Sequence, residues 1–478
     1  MGCGIAQTRS KKLSRFSKRS TELSLCPEIF FSVESTRTFK EYVTLKTLGA
    51  GAFSEVMLAI HLPTQQRRAL KIIKKLHLNT QQLSKDYKVT EMEILRKMDH
   101  PNIIKAFEVF EDADSFFLPL EYAEGGNLIK KLGTNQKMDE NTLAQIMYQL
   151  LSGVAYCHSK NIIHRDLKPD NIVLESESNW NIKIADFGNA CIQDPVHGTS
   201  GIFGTAYYLA PEVLLGAYNE KVDIWSCGII LYVLLMLRPP YSGKNAKEIK
   251  GQVLSKPFKP TKNNMPGCSP LLLDFANNLL EIDSKERISA KDALKHPWIL
   301  LHNSRSIAEP LPNSINANPK SKLVQGVLMY IITCLVKSCS KSSLAENFRS
   351  IDKNGNGIIE KDELTIELLK DHTSEESKKL CLKIFQEFDY KKADSISYTE
   401  FLMAFSNLKI LLTKELIGGA FEKFDKKKCG KITRENIEAI IGTLGDNTLE
   451  DKRIKDALDG NKYINKQEFI TLIESMIQ

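Results

Sequence analysis

The chain contains the sequence His164-Arg165-Asp166-Leu167-Lys168-Pro169-Asp170-Asn171, and Asp186-Phe187-Gly188 begins fifteen residues after Asn171. Its residue types suit phosphoryl transfer. In this pattern Asp166 accepts a hydroxyl proton from a substrate, and the ammonium of Lys168 offsets charge on the phosphoryl group. Asn171 and Asp186 supply oxygen ligands that hold Mg²⁺ against a triphosphate. A polar surface loop would match this pattern by chance only rarely.

On these residues the chain resembles the eukaryotic protein kinases, and Lys168 within the loop is typical of their Ser/Thr-specific branch. The resemblance implies an α+β bilobal protein kinase fold over residues 42–298, closed by His296-Pro297-Trp298. It also implies ATP and Mg²⁺ as cofactors, and proteins with Ser or Thr acceptor hydroxyls as substrates.

A glycine-rich hairpin ahead of the catalytic loop is the predicted nucleotide site. Its glycines let backbone N–H groups approach the phosphates without a Cβ in the way. Lys71 would hold the α- and β-phosphates and pair with Glu91, while Glu93 is the alternative because it points to a different helix face. The backbone of residues 121–123 would meet the adenine edge. The predicted ATP site comprises Leu48, Gly49, Gly51, Val56, Ala69, Lys71, Glu91 and Glu121.

Four further residues are predicted to hold the catalytic machinery in place. Glu212 needs a buried cationic partner, because a buried carboxylate without one is costly, and Arg287 stands where kinases place that partner. Asp223 is expected to steady the catalytic loop. Arg165 is expected to pair with a group on the activation segment.

Two positions depart from the usual kinase pattern. Gly201 occupies the position that usually offers Arg165 a phosphate or an acid, and the sequence leaves Thr199, Ser200 and Asp194 open for that role. Ala106 replaces a larger apolar residue in the spine that joins the lobes. This loss of packing costs on the order of 2 kcal/mol unless a neighbour such as Phe107 fills the space.

Composition predicts a cytoplasmic protein of about three domains. The 478 residues contain no secretory signal and no apolar run of about 18 residues that could span a membrane. The ten cysteines show no zinc-ligand spacing, which indicates reduced thiols. The net charge of +7 is modest, so nucleic acid is not expected as a partner.

Residues 1–41 form a basic N-terminal tail. Once Met1 is removed, Gly2 is positioned for N-myristoylation and Cys3 for S-palmitoylation. With six basic residues between positions 9 and 19, these chains would hold the protein at the cytoplasmic face of a membrane. Ala6 stands where Ser or Thr is usual, so a basic tail without lipid is the alternative.

Residues 299–343 form a junction. Asn, Ser and Pro are frequent at its start, and an apolar run from Leu323 to Val336 with lysines on both sides follows. Fourteen residues are too few to span a bilayer. The heptad-like spacing favours a helix that docks into a hydrophobic groove, as calmodulin targets do. An ordinary helix packed against the kinase is the alternative, and an autoinhibitory helix would use both docking sites.

A motif recurs about every 36 residues over 344–478 and predicts four EF-hands, paired as 344–406 and 413–478. The first loop carries a full set of Ca²⁺ ligands around Gly357. They are Asp352, Asn354, Asn356, Ile358, Glu360 and Glu363. The other loops lose ligands, with Lys391, Lys427 and Ala457 at ligand positions. A lysine places positive charge beside the cation, so these hands are predicted to be metal-free.

A kinase, a junction and four hands in one chain resemble the calcium-dependent protein kinases of plants and protists. The fold class is then a bilobal kinase followed by an all-α EF-hand domain. The resemblance implies that the junction helix blocks the kinase at rest, and that the hands bind this helix when Ca²⁺ binds. Two alternatives stay open: a calcium-insensitive kinase whose hands are a docking module, and a membrane-attached pseudokinase scaffold.

Overall fold

The computed structural model describes residues 32–34, 39–51, 54–77, 87–133, 138–193, 199–303, 311, 319, 321–336, 341–425, 427–441, 452, 454, 456, 458 and 463–476. Several predicted features lie outside the described residues. They are Gly2, Cys3 and the basic tail residues, Asp194, and residues 457 and 459–462 of the fourth EF-hand loop.

In its described residues, the N-terminal lobe is a six-stranded sheet with one α-helix beside it. The strand order is β1-β5-β6-β4-β3-β2, and neighbours are antiparallel except for β1 and β5, which are parallel. The elements are β1 (Ser32–Glu34), β2 (Tyr42–Ala50), β3 (Ser54–His61), β4 (Gln66–Lys74), α1 (Tyr87–Lys97), β5 (Glu108–Glu111) and β6 (Ser115–Glu121).

Strand β1 comes from the segment that the sequence assigned to the tail. Ser32 is paired with Glu108 and Glu34 with Phe110. The edge of a sheet presents unpaired N–H and C=O groups, and an extended segment can satisfy them. The sheet therefore takes in residues ahead of the predicted boundary at residue 42.

The C-terminal lobe is helical, with four short strands that carry the catalytic residues. Its elements are α2 (Leu128–Leu132), α3 (Glu140–Ser159), β7 (Ile162–Ile163), β8 (Ile172–Leu174), β9 (Ile182–Ile184), β10 (Cys191–Ile192), α4 (Lys221–Met236), α5 (Ala246–Ser255), α6 (Pro270–Leu279), α7 (Ala290–Ala293) and α8 (Pro297–Asn303). Asp139 caps α3 by accepting from the Thr142 N–H at 2.7 Å. The catalytic loop lies between β7 and β8, and Asp186 follows β9.

The junction and the EF-hands form a second helical unit. A helix α9 (Lys322–Tyr330) is capped by Ser321 and continues as a π-helical turn over Ile331–Leu335. The remaining elements are α10 (Ser342–Ile351), β11 (Ile358–Glu360), α11 (Lys361–Leu368), α12 (Ser374–Phe388), β12 (Ser395–Ser397), α13 (Tyr398–Phe405), α14 (Leu408–Leu411), α15 (Lys414–Phe424), β13 (Lys431–Ile432), α16 (Arg434–Ile441), β14 (Ile464–Asn465) and α17 (Lys466–Ser475). Ladders β11–β12 and β13–β14 join the hands in two pairs.

The kinase and the EF-hand unit each have a large apolar core of their own. The kinase core surrounds α3 and α4. The second core surrounds the junction helix, where Leu323, Val327 and Ile331 are fully buried among EF-hand side chains such as Phe421 and Phe469. None of the described helices has the length and apolar character to cross a membrane.

The structure corrects the expectation for Phe107. Its ring packs against the EF-hand core, and the Arg68 guanidinium lies over it at 3.6 Å from the centroid. Phe107 therefore does not refill the space beside Ala106. Ala106 is buried in the kinase core, where it forms a bridge with Leu120.

Candidate active site and calcium-binding loop

Strand register places Lys71 where it meets two carboxylates. On β4 it pairs with Val56 of β3 and Leu118 of β6. Its Nζ donates to Glu91 Oε1 on α1 at 2.8 Å and to Asp186 Oδ1 at 2.6 Å. Of the two candidate glutamates, the structure thus brings Glu91 to Lys71.

These contacts set the charge states in the cleft. Burial lowers the pKa of Lys71, but the carboxylates of Glu91 and Asp186 outweigh burial and hold that pKa above its ordinary value. The charge of Lys71 lowers the pKa of Asp186 to about 2, despite burial. Asp186 is therefore ionised at neutral pH, the state in which a carboxylate binds Mg²⁺.

Asp166 receives hydrogen bonds from both the catalytic loop and the activation segment. Lys168 Nζ donates to its Oδ2 at 3.0 Å. The Thr205 backbone N–H and hydroxyl donate to its Oδ1 at 3.1 and 3.0 Å. Asn171 Nδ2 donates to the Asp166 carbonyl at 2.8 Å, which fixes the amide beside the base. This arrangement holds a carboxylate and an ammonium together, as proton transfer to Asp166 and charge neutralisation by Lys168 require.

Asp223 anchors the backbone of the catalytic loop. Its carboxylate accepts from the N–H groups of His164 and Arg165, both at 2.9 Å, and from His158 Nε2 at 3.0 Å. Burial acts to raise the pKa of Asp223, but these hydrogen bonds keep it below its ordinary value. A buried, ionised carboxylate thus holds Arg165 in its left-handed conformation, with φ of 66°.

Glu212 and Arg287 form a bidentate ion pair. Arg287 Nη1 and Nη2 donate to the two Glu212 carboxylate oxygens at 2.5 and 3.1 Å. The Arg287 side chain is fully buried and also donates to the carbonyls of Glu281 and Lys221. The pair ties the end of the activation segment to the helical lobe.

Arg165 meets an aromatic ring on the activation segment. Its guanidinium lies 4.0 Å from the centroid of Phe203, and its Nε donates to the Asn189 carbonyl at 2.6 Å. Thr199 pairs instead with the backbone of Tyr218. The sequence predicted an acid or a phosphate as the partner of Arg165, and Phe203 was not predicted. An aromatic residue beside Gly204 could have indicated a cation–π contact.

The glycine-rich turn leaves room for phosphates. Gly51 N–H donates to the Ser54 carbonyl at 2.7 Å and so narrows the hairpin between β2 and β3. A Cβ added at Gly49 would meet no atom within 4 Å. Leu48 and Val56 lie on the two strands beside this turn, and Ala69 pairs with Leu120 on β6. The open backbone edge, with Lys71 behind it, fits a triphosphate.

The Glu121 side chain is bonded to protein groups, so Glu121 would contribute its backbone to the nucleotide site. Its N–H donates to the Lys105 carbonyl at 2.8 Å, and its Oε2 accepts from the Lys105 N–H at 3.2 Å. Lys183 Nζ also lies 3.5 Å from this carboxylate. The side chain is thus committed to Lys105 and Lys183, and the remaining backbone groups of residues 121–123 would meet adenine.

The first EF-hand loop has the folded form of a Ca²⁺ site. Asp352 Oδ1 accepts from the Asn356 N–H at 3.1 Å, and its Oδ2 accepts from the Gly357 N–H at 2.8 Å. Glu363 accepts from the N–H groups of Asn354 and Glu360 at 3.2 and 3.1 Å. Burial raises the pKa of Asp352 to about 7 and also raises that of Glu363, so Ca²⁺ competes here with protons.

The donor set of this loop suits Ca²⁺ rather than a softer metal. Among the described residues, no three His, Cys, Asp or Glu side chains gather at one point. The loop relies on the amides of Asn354 and Asn356 and the carbonyl of Ile358 beside its carboxylates, and such hard oxygen ligands favour Ca²⁺. Glu360 Oε1 accepts from Asn356 Nδ2 at 3.2 Å, at the rim of the loop.

The second and third loops keep the turn and lack the ligands. Asp389 accepts from the N–H groups of Ala393 and Asp394, and Asp425 accepts from that of Gly430 at 2.7 Å. Glu400 accepts from the Tyr390 N–H at 3.1 Å. The turn is thus shaped by backbone N–H groups as in the first loop, while Lys391 and Lys427 occupy ligand positions of the second and third loops.

Several contacts between the kinase and the EF-hand unit escaped the sequence reasoning. Arg68 Nη2 donates to the Cys334 carbonyl at the end of the junction helix at 2.5 Å. Asp99 accepts from the N–H and hydroxyl of Thr399 at 3.1 and 2.8 Å. Lys428 of the third loop forms an ion pair with Glu41. These residues are far apart in sequence and belong to no motif, so the sequence carried no signal for them.

Comparison with known proteins agrees with this architecture. A sequence model of the protein kinase domain matches residues 42–299, and a model of the EF-hand domain pair matches residues 341–406. Calcium-dependent protein kinase 4 of Plasmodium berghei (strain Anka) is 34% identical over 457 residues, which cover 91% of this chain and 86% of the relative. Its namesake in Plasmodium falciparum (isolate 3D7) is 34% identical over 453 residues, with 91% and 85% covered.

A further relative has the same overall plan. Calcium-dependent protein kinase 5 of Plasmodium falciparum (isolate 3D7) is 34% identical over 411 residues, which cover 82% of this chain and 70% of the relative. The matches confirm the predicted fold class and the prediction of a protein kinase, an enzyme that uses ATP and Mg²⁺. The chain belongs to the calcium-dependent protein kinase family.

Proposed function

We propose that this chain phosphorylates Ser and Thr hydroxyls of proteins, and that Ca²⁺ bound to its first EF-hand switches this activity on. In the reaction Asp166 accepts the hydroxyl proton and Lys168 neutralises charge on the transferred group. Asn171 and Asp186 would hold Mg²⁺, which would supply positive charge against the phosphates, and Lys71 would orient those phosphates. The names of the relatives, which describe calcium-dependent kinases, support this proposal.

The burial of the junction helix is the observation that best supports the proposed regulation by Ca²⁺. Its apolar residues from Leu323 to Leu335 are largely buried within the EF-hand core. This buried apolar face is a contact that the hands could make or release. Ca²⁺ bound to the first hand would then act on the balance between the bound and released states of the helix.

The captured helix also lies away from the catalytic cleft. Two carbonyl groups near its C-terminal end accept hydrogen bonds. The Cys334 carbonyl accepts from Arg68, and the Ile332 carbonyl accepts from Lys341 Nζ at 2.5 Å. Arg68 is on β4, three residues from Lys71, and its side chain meets the junction while that of Lys71 meets Asp186. In this state the junction helix occupies the rear of the sheet, and the Lys71–Glu91 pair is intact.

A peptide phosphorylation assay tests the proposal. The full chain is assayed with Mg²⁺-ATP and a Ser-containing peptide, in Ca²⁺ and in EGTA, with Asp166→Ala as the inactive control. We expect activity in Ca²⁺ that is lost in EGTA. Equal activity in both conditions would instead support hands that act as a calcium-insensitive docking module, and no activity in either would support a pseudokinase scaffold.

We also propose that the basic tail holds the enzyme at a membrane through acylated Gly2 and Cys3. Support comes from the sequence alone, in which both acceptors precede the basic cluster. Mass spectrometry of the protein from its own cells, with Gly2→Ala as a control for fractionation, tests this. An unmodified Gly2 on membrane-bound protein would overturn it.

A further inference from the structure

The Ca²⁺ loop of the first hand lies directly on a kinase helix. Residues 355–357, the fourth to sixth positions of the loop, face the end of α3. A Cβ added at Gly357 would lie 2.0 Å from Tyr156 Cδ2. One added at Gly355 would lie 2.6 Å from Leu294 Cδ1 and 3.3 Å from Ala155 Cβ. The two glycines therefore allow the loop backbone to approach the kinase closely.

Hydrogen bonds from the same helix face extend this contact. Ser159 Oγ lies 3.2 Å from the Asn356 carbonyl oxygen and shares its hydroxyl hydrogen between this oxygen and the Tyr156 carbonyl, which is at 2.8 Å. Eleven residues earlier on α3, Tyr148 Oη donates to the Arg349 carbonyl on α10 at 2.7 Å. Positions 148, 155 and 159 are spaced by seven and four residues and so share one helix face. The helix that enters the loop and the loop itself are thus both seated on α3.

The turn that touches the kinase is the turn that Ca²⁺ organises. The N–H groups of Asn356 and Gly357 point inward to the Asp352 carboxylate, at 3.1 and 2.8 Å. The outward side of the same residues lies against Tyr156 and Ser159. A cation inside the loop and helix α3 outside it therefore stabilise one backbone conformation from opposite sides.

We infer that the Ca²⁺ loop is itself the docking surface of the regulatory unit on the kinase, so that the contact with α3 and Ca²⁺ binding strengthen each other. This inference rests on the proposed function, because it needs Ca²⁺ in the first hand. Linkage makes the effect reciprocal: if Ca²⁺ favours docking, then docking raises Ca²⁺ affinity by the same factor. The kinase helix thus sets the calcium concentration at which the enzyme responds.

Two variants of the full chain weaken the contact between α3 and the Ca²⁺ loop, one from each side. Ala155→Glu adds a side chain and a negative charge on the kinase face. Gly355→Asn adds a side chain on the loop face at a non-ligand position, and asparagine tolerates the positive φ of 66° there. Gln145→Glu is the matched control, because it adds the same charge at an exposed position of the same helix.

The readouts are the dissociation constant for Ca²⁺ from calorimetric titration and kcat at saturating Ca²⁺. Circular dichroism checks that each variant is folded. We expect both interface variants to weaken Ca²⁺ binding at least about fivefold, the lower end of ordinary coupling between sites, and the control to match wild type. Activity at saturating Ca²⁺ should be retained.

The outcomes separate this inference from the function on which it rests. If wild type binds Ca²⁺ and needs it for activity, yet both interface variants keep the wild-type dissociation constant, the inference is overturned and the proposed function stands. If wild type binds no Ca²⁺, both are overturned. Because the two substitutions lie in different domains, misfolding of one leaves the other as the test.

Discussion

The guanidinium of Arg165 stacks on the ring of Phe203, 4.0 Å from its centroid, at the place where the sequence predicts a phosphate or an acid. A cation–π contact needs no covalent modification. The activation segment can therefore hold the catalytic loop without phosphorylation at Thr199 or Ser200.

We predict that Phe203→Ala lowers kcat in Ca²⁺, whereas Thr199→Ala with Ser200→Ala leaves it unchanged. A cation–π contact is worth on the order of 1 kcal/mol, which corresponds to about fivefold in the population of the ordered segment. Steady-state kinetics measures the effect on wild type and variants that have not been treated with phosphatase, so that any phosphate on Thr199 or Ser200 of the wild type is retained. A large loss in the Thr199/Ser200 double variant would show that a phosphate is required.

Glu91→Gln should lower kcat because Lys71 loses a charged partner that positions it. The loss can reach about a hundredfold, as small misplacements of catalytic groups can. Glu93→Gln on the same helix is the matched control and should retain wild-type kcat. Similar losses in both variants would contradict the assignment of Glu91.

Arg287→Ala should destabilise the kinase strongly, because it leaves Glu212 without its buried partner. We expect a loss of about 3–5 kcal/mol in the free energy of unfolding. Arg67→Ala breaks the ion pair between Arg67 and Glu124, whose side chains are 60% and 48% exposed, and should cost less than about 1 kcal/mol. Denaturant unfolding of both variants measures the contrast, and equal losses would argue against a structural role for Arg287.

Three of the EF-hand loops begin with an aspartate, and of these three only the first should be needed for activation by Ca²⁺. Glu363→Gln removes the bidentate ligand and should abolish activation at micromolar Ca²⁺. Asp389→Asn and Asp425→Asn, in the second and third loops, should leave activation unchanged, because Lys391 and Lys427 place positive charge at ligand positions of these loops. Loss of activation in either control would indicate that its loop binds Ca²⁺.

Glu400 should make stability depend on pH. Burial raises the pKa of Glu400 to about 7, above its ordinary value of 4.5. Between these two values the folded chain holds a proton that the unfolded chain lacks, so stability falls as pH rises toward 7 and levels off above it. Glu400→Gln removes this contribution.

The measurement compares the difference in Tm between pH 6 and pH 8 for wild type and Glu400→Gln, both in saturating Ca²⁺. We expect the wild type to lose more stability between pH 6 and pH 8 than the variant does. The exposed Glu375→Gln on α12 serves as the control for removal of one charge, and should behave as wild type. Identical differences in wild type and Glu400→Gln would refute the prediction.

Features that depend on a short local pattern could be predicted from the sequence. The catalytic loop, the Asp186 motif and the first EF-hand are short motifs whose chemistry needs fixed residue types at fixed spacing, so they identify themselves. The apolar spacing after Leu323 likewise predicted a helix for a hydrophobic groove. The strand at Ser32–Glu34 was missed, because three residues give no periodic signal and their pairing depends on an edge 70 or more residues away.

The kinase chemistry, a complete set of Ca²⁺ ligands and the order of the units along the chain can all be inferred from the residues themselves. The contact of Arg165 with Phe203, the packing of Phe107 against the EF-hand core and the contact of the Ca²⁺ loop with α3 emerge only in the folded molecule. Motif residues are constrained by ligands common to many proteins. Contacts between folded units depend instead on which surfaces meet, and that is fixed only when side chains distant in sequence are packed together.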